Sequence, residues 1–278
     1  TPAFKPFPQR YDFGSWLGQT GQPIGAAIHA TGEGVWPQEL QAPDCYSRAG
    51  LGDLGGGSLD DPHAEHKRTD FFTLRDFDLD YTGVLNHLAE CYKYWIALTD
   101  CDGFRIDTLK HVSFEQARNF CGAIKEFAAN LGKANFLLAG EIAGGDFAED
   151  RYLDVLGRNL DAALDIGGMR PTLHNIAKGL LPAAAYFNGF DPGKAEMGSH
   201  RNLGQRHVSI LDDHDQVSGD KVRFSNEATT DQQVAAAVAA RAHAGLRTAR
   251  PDPRAGARAR TRLRPAGRTV SAGRSGAG

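Results

Sequence analysis

Three carboxylates close what read as successive strand ends in this 278-residue chain. Asp107 ends the run Asp102-Gly103-Phe104-Arg105-Ile106-Asp107, Glu141 follows the apolar run Phe136-Leu137-Leu138-Ala139-Gly140, and Asp215 ends Leu211-Asp212-Asp213-His214-Asp215. Carboxylates so placed suit the cleavage of a glycosidic bond with retention of configuration. One attacks the sugar carbon while a second carboxyl group, about 5–5.5 Å away, protonates the leaving oxygen. Asp107 and Glu141 are the candidate pair, with Asp215 as a third charge for the transition state. Asp146 and Glu149 compete with Glu141 for the acid role, but Glu141 is the first polar residue after the apolar run and shares a face with Leu137 and Ala139. The cluster Asp212 to Asp215 has a second chemical reading as a site for Mg²⁺, Mn²⁺ or Zn²⁺. Arg105 with Asp107 also reads as a plain ion pair at a strand end, and Lys110 with His111 as a charge pair at a helix entry.

Those side chains need a frame that brings them together. Period-2 alternation over Gly103 to Asp107 puts Arg105 and Asp107 on one face and Phe104 and Ile106 on the other. Phe114, Ala117, Phe120, Cys121, Ile124, Phe127 and Ala128 then recur at three- and four-residue intervals up to Gly132, which predicts a helix. The apolar run before Glu141 reads as a buried parallel strand. Strands are expected near 102–107, 135–141, 161–166 and 206–211. Acidic groups at the carboxyl ends of parallel strands fit the catalytic end of a (β/α)₈ barrel.

Motif by motif these residues resemble the α-amylase family, glycoside hydrolase family 13. Gly103-Phe104-Arg105-Ile106-Asp107-Thr108-Leu109-Lys110-His111 is similar to its fourth-strand motif. By that resemblance Asp107 is the nucleophile, Arg105 supports it, and Lys110 and His111 line the leaving-group side. Gly140-Glu141-Ile142 resembles the fifth-strand motif, which implies that Glu141 is the general acid/base. Leu211 to Asp215 resembles the seventh-strand motif, whose His and final Asp, here His214 and Asp215, contact the sugar at the cleavage point. Where the family usually has Asn before that His, this chain has Asp213, an added carboxylate at a substrate-binding position. Asp78-Leu79-Asp80 resembles the short motif ending the family's inserted second domain. The family's Asp-x-x-x-Asn-His third-strand motif has no counterpart before residue 70.

The resemblance implies a partial (β/α)₈ TIM barrel, strands four to seven, with an irregular N-terminal inserted domain. Residues 1–75 are expected to be a remnant of that domain, 76–240 a catalytic half-barrel, and 241–278 a disordered tail. The implied activity is that of a retaining hydrolase or transglycosylase on the α-glucosidic bonds of a glucose oligosaccharide or disaccharide. No cofactor is implied, and calcium only for the complete protein. Arg105 is expected to hold Asp107 ionised, and repulsion from Asp107 and Asp215 to hold Glu141 partly protonated. The alternative is a non-catalytic truncated remnant, with a binding homologue as a further reading.

Composition bounds the same picture. The net charge of −3 conceals two halves, because the last 38 residues hold ten Arg and one Asp while the rest holds 21 basic and 33 acidic residues. An acidic body argues against a nucleic-acid-binding core, and no apolar run of about 18 residues is present to span a membrane. The Arg/Ala/Gly tail cannot bury a core. It follows the helical pattern of 231–240 so abruptly that it reads as a change of reading frame rather than as a nucleic-acid-binding arm. Cys45, Cys91, Cys101 and Cys121 fit no paired metal-ligand spacing, and Cys91 and Cys121 read as small buried groups in helices. His63, His66, His87, His174 and His200 have no comparable context and read as solvated or satisfied side chains.

Overall fold

The computed structural model describes residues 1–18, 20–24, 37–81, 83–143, 148–164, 169–189, 206–215, 223–236 and 238. The tail expected over 241–278, the end of the helix expected over 231–240, Trp36, Asp146 and His200 lie outside these residues, as does the side chain of Glu149.

The first 80 residues are irregular. A small antiparallel pair, β1 (Trp16–Leu17) and β2 (Pro23–Ile24), is followed by short 3₁₀ turns. Leu40, Cys45, Tyr46 and Val84 form a small core here, packed against Phe13, Trp16, Phe77 and Leu79. Side chains tie the segment where ladders are missing: the Tyr11 hydroxyl donates to Asp70 Oδ2 at 2.8 Å, and the Ser47 hydroxyl to the Arg68 carbonyl at 2.9 Å.

Beyond it the chain alternates helix and strand. Helix α1 (Val84–Thr99) leads to β3 (Gly103–Ile106), α2 (Phe114–Asn130) to β4 (Leu137–Glu141), and α3 (Ala148–Leu156) to β5 (Ala162–Leu164). Helices α4 (Arg170–Ala177) and α5 (Ala184–Asn188) precede β6 (His207–Val208), and a single turn, α6 (Phe224–Glu227), follows it. The four strands form one sheet in the order β3-β4-β5-β6, every pair parallel. This is a partial α/β barrel, strands four to seven of the expected eight. Parallel pairing requires a crossover between neighbours, and the helices supply it.

Helix α2 covers the span that periodicity predicts, and its buried residues Ala117, Cys121, Ile124 and Ala128 fall on one stripe. Its start is a capping box: Ser113 Oγ accepts from the Gln116 backbone N–H, and Gln116 Oε1 accepts from that of Ser113, each at 3.3 Å. We expect Ser113→Ala to cost about 1 kcal/mol of stability, read as a lower denaturant midpoint at unchanged slope. The main core joins this stripe to Ile96, Phe136, Leu138, Tyr152, Leu153 and Ala163. Among the four free cysteines Cys45 and Cys121 are buried and Cys91 and Cys101 half-buried.

Strands β5 and β6 are shorter than 161–166 and 206–211, partly because 165–168 lie outside the described residues. After Val208 side chains of α4 and α5 hold the chain in place. The Leu211 carbonyl accepts from His174 Nε2 at 2.8 Å, and the Ser209 and Tyr186 hydroxyls share a hydrogen bond. At the opposite end of the sheet Arg206 donates to the carbonyls of Asp161, Leu153 and Gly157 at 3.0, 3.0 and 2.7 Å, which fixes β5 and β6 to α3. Among the described residues no helix is long and apolar enough to cross a membrane.

Candidate active site

The register between β3 and β4 pairs Arg105 with Ala139 and Ile106 with Gly140, so Asp107 and Glu141 leave the sheet side by side at its carboxyl edge. One guanidinium joins them. Arg105 Nη1 lies 2.5 Å from Asp107 Oδ1, and Arg105 Nη2 lies 2.9 Å from Glu141 Oε2. The same Glu141 oxygen accepts the Thr108 backbone N–H at 2.9 Å. To present that N–H, Thr108 adopts a left-handed conformation with φ of 50°, which costs a β-branched residue energy and recurs where function demands it. Two glycines allow the close packing. A Cβ at Gly140 would stand 2.5 Å from Leu109 Cδ2, and one at Gly103 would stand 2.6 Å from the Leu137 carbonyl oxygen. Leu109, fully buried, thus anchors the loop that carries Asp107 to His111.

Burial is the main reason that the Glu141 carboxyl is raised above its usual range, for this residue is 8 % exposed. Asp107 adds to the rise by proximity, while the Thr108 N–H and Arg105 oppose it. This corrects the order of the expected causes: repulsion ranks below desolvation, and Asp107 is the carboxylate that contributes most to it. Burial also works against the charge of Arg105, but Asp107, Glu141 and Asp215 outweigh it and hold the guanidinium charged. An acid raised in the folded state stabilises most when protonated, below the ordinary carboxylate range, and loses that contribution as pH rises through its raised value. The melting temperature of the native chain relative to Glu141→Gln should therefore fall as pH climbs through that window. A difference that grows with pH would mean that Arg105 outweighs burial.

His111 and Lys110 sit in the same loop, held from behind. The fully buried Tyr152 hydroxyl lies 2.9 Å from the Lys110 carbonyl and 2.7 Å from that of Val112, with its ring packed on Phe114. His111 Nδ1–H donates to the His66 carbonyl, leaving Nε2 as the acceptor nitrogen, and burial lowers the affinity of the ring for a second proton. His66 is itself 1 % exposed and donates from Nδ1 to the Gly56 carbonyl at 2.7 Å. Composition and spacing gave it no such place, because nothing in an irregular stretch 45 residues upstream marks the contact.

Across the sheet, the residues 211–215 divide their work. Both oxygens of Asp212 accept backbone N–H groups of α6, from Phe224 at 2.5 Å and Ser225 at 3.1 Å. Asp213 Oδ2 meets Arg170 Nη1 at 2.7 Å, and its Oδ1 accepts the Asp215 N–H at 2.9 Å. His214 and Asp215 are left exposed, 3.4 Å apart. The charge of Asp215 adds, last in order, to those that favour charged Arg105. A cavity of about 440 Å³ lies along the outer side of β3, bordered by Arg105, Asp107 and His111 and by the apolar Phe104, Ile106 and Tyr92. Glu141 and Asp215 do not border it, so the three carboxylates do not surround one cavity. Among the described residues no three His, Cys, Asp or Glu side chains are grouped to hold a metal ion.

No protein-family model matches the chain. Among curated proteins it is 28 % identical to an α-amylase of Streptomyces lividans over 170 residues, 54 % of this chain and 18 % of that protein. It is 26 % identical to a cyclomaltodextrin glucanotransferase of Klebsiella oxytoca over 118 residues, 41 % of this chain and 18 % of that one. A solved α-amylase of Geobacillus thermoleovorans, in complex with acarbose, superposes with a TM-score of 0.46 at 22 % identity, over 68 % of this chain and 40 % of that one. The chain thus spans about a fifth of the length of the curated relatives it matches.

Proposed function

We propose, from the premise that this chain is a relative of the α-amylase family covering part of its length, that it carries the cleavage site of a retaining glycosidase for α-linked glucose oligosaccharides. The observation that carries this reading is the single guanidinium of Arg105 joining Asp107 and Glu141 at the ends of adjacent parallel strands. Asp107, ion-paired with Arg105, attacks the anomeric carbon and displaces the leaving oxygen, which takes the proton of Glu141. Glu141, now a carboxylate, then draws a proton from water or from a sugar hydroxyl, whose oxygen replaces Asp107 at the same carbon. Hydrolysis and transfer differ only in that second acceptor. His214 and Asp215 hold the sugar at the cleavage point, while Lys110 and neutral His111 Nε2 contact the leaving portion. Buried Glu141 supplies the proton at pH values where an exposed carboxyl would already have lost it.

A second reading, a non-catalytic remnant, is favoured by one feature. The Asp107 side chain is 65 % exposed on the edge strand β3, which has no strand on its outer side among the described residues. Water there weakens the electrostatic help that a closed site provides. The two readings part in one assay: maltoheptaose is incubated with the chain, and new reducing ends and the first-formed anomer are followed by NMR. Release of the α-anomer that Glu141→Gln eliminates supports the glycosidase. Absence of turnover from a cooperatively folded chain supports the remnant.

A further inference from the structure

We propose that Asp213 is a positioning residue for Asp215, matched to Arg170, rather than a sugar contact. For its kinetic readout this rests on the glycosidase reading. Both Asp213 oxygens are occupied inside the protein, Oδ2 by Arg170 Nη1 at 2.7 Å and Oδ1 by the Asp215 N–H at 2.9 Å. The Asp213 side chain is 17 % exposed, against 69 % for His214 and 60 % for Asp215. Asp213 therefore shapes the turn, and its two neighbours present their side chains. Arg170, first residue of α4 and 13 % exposed on its side chain, fixes that turn to the helix preceding β6. An amide at 213 would still accept the Asp215 N–H but would leave a largely desolvated guanidinium without its anion. The carboxylate at 213 and the arginine at 170 therefore belong together. This accounts for an acid where the resemblance leads one to expect Asn.

Four variants of the full chain test it: Asp213→Ala, Asp213→Asn, Arg170→Gln and the double Arg170→Gln/Asp213→Asn. Two quantities are read well below each melting temperature, the hydrogen exchange of the Asp215 amide by NMR and kcat/KM on an aryl α-maltooligoside per folded molecule. Asp213→Ala should speed exchange at Asp215 by about tenfold or more, since one hydrogen bond to a charged group is lost, and lower kcat/KM by about 10²-fold. Each single neutral substitution should cost about tenfold, and the double variant should regain most of that loss, the signature of coupled neighbours. Additive losses in the double variant, or unchanged Asp215 exchange in Asp213→Ala, would overturn the proposal. A native chain without turnover refutes the glycosidase reading alone, because the exchange measurements still decide whether Asp213 positions Asp215.

Discussion

Asp107→Asn is expected to lower kcat by about 10⁴-fold or more on every α-glucoside, the scale on which loss of a nucleophile acts. An amide cannot form the glycosyl ester. Glu141→Gln should behave differently. It removes a proton donor, a contribution of about 10²–10⁴-fold, so cleavage of natural maltooligosaccharides should fall in that range. Aryl α-glucosides, whose leaving group departs as a stable anion, need less protonation, and their first step should be largely spared. The assignment fails if Asp107→Asn cleaves an activated aryl α-glucoside normally, or if Glu141→Gln loses both substrate types equally in the first step.

Arg105→Gln should have the next largest effect, a loss of about 10²–10³-fold in kcat/KM, as when one preorganised electrostatic partner is removed. Arg105 is the common partner of Asp107 and Glu141. Without that positive neighbour, ionising either carboxyl of the pair becomes harder. Since Asp107 must be ionised to attack, the acid limb of the pH–rate profile should move to higher pH. An Arg105→Gln enzyme with a lower rate but an unmoved acid limb would reduce Arg105 to a structural strut.

What the sequence could disclose follows from how local each cause is. Asp107 and Arg105 were legible because alternation in a short strand fixes which side chains share a face, and Glu141 because an apolar run has a definite end. Helix α2 was legible from its stripe. The relations that tune these residues are not local. The contact of His66 with His111 spans 45 residues and that of Arg170 with Asp213 spans 43, and neither leaves a periodic trace. Nor could sequence rank burial above repulsion at Glu141, since desolvation depends on what packs over a side chain. The end of β6 was overestimated for a similar reason. His174 of α4 takes up the Leu211 carbonyl, a group that an isolated strand pattern would assign to a ladder.

The proposed reaction requires Asp107 to form a covalent bond to the sugar and Glu141 to serve both halves of it. The most direct measurement is mass spectrometry of the chain after reaction with a fluorinated α-glucosyl fluoride that forms the ester readily and hydrolyses slowly. The expected result is one added fluoroglucosyl unit, found after digestion on the peptide containing Asp107 and absent from Asp107→Asn. An adduct on another residue, or steady turnover with no adduct and inversion at the anomeric carbon, would contradict it.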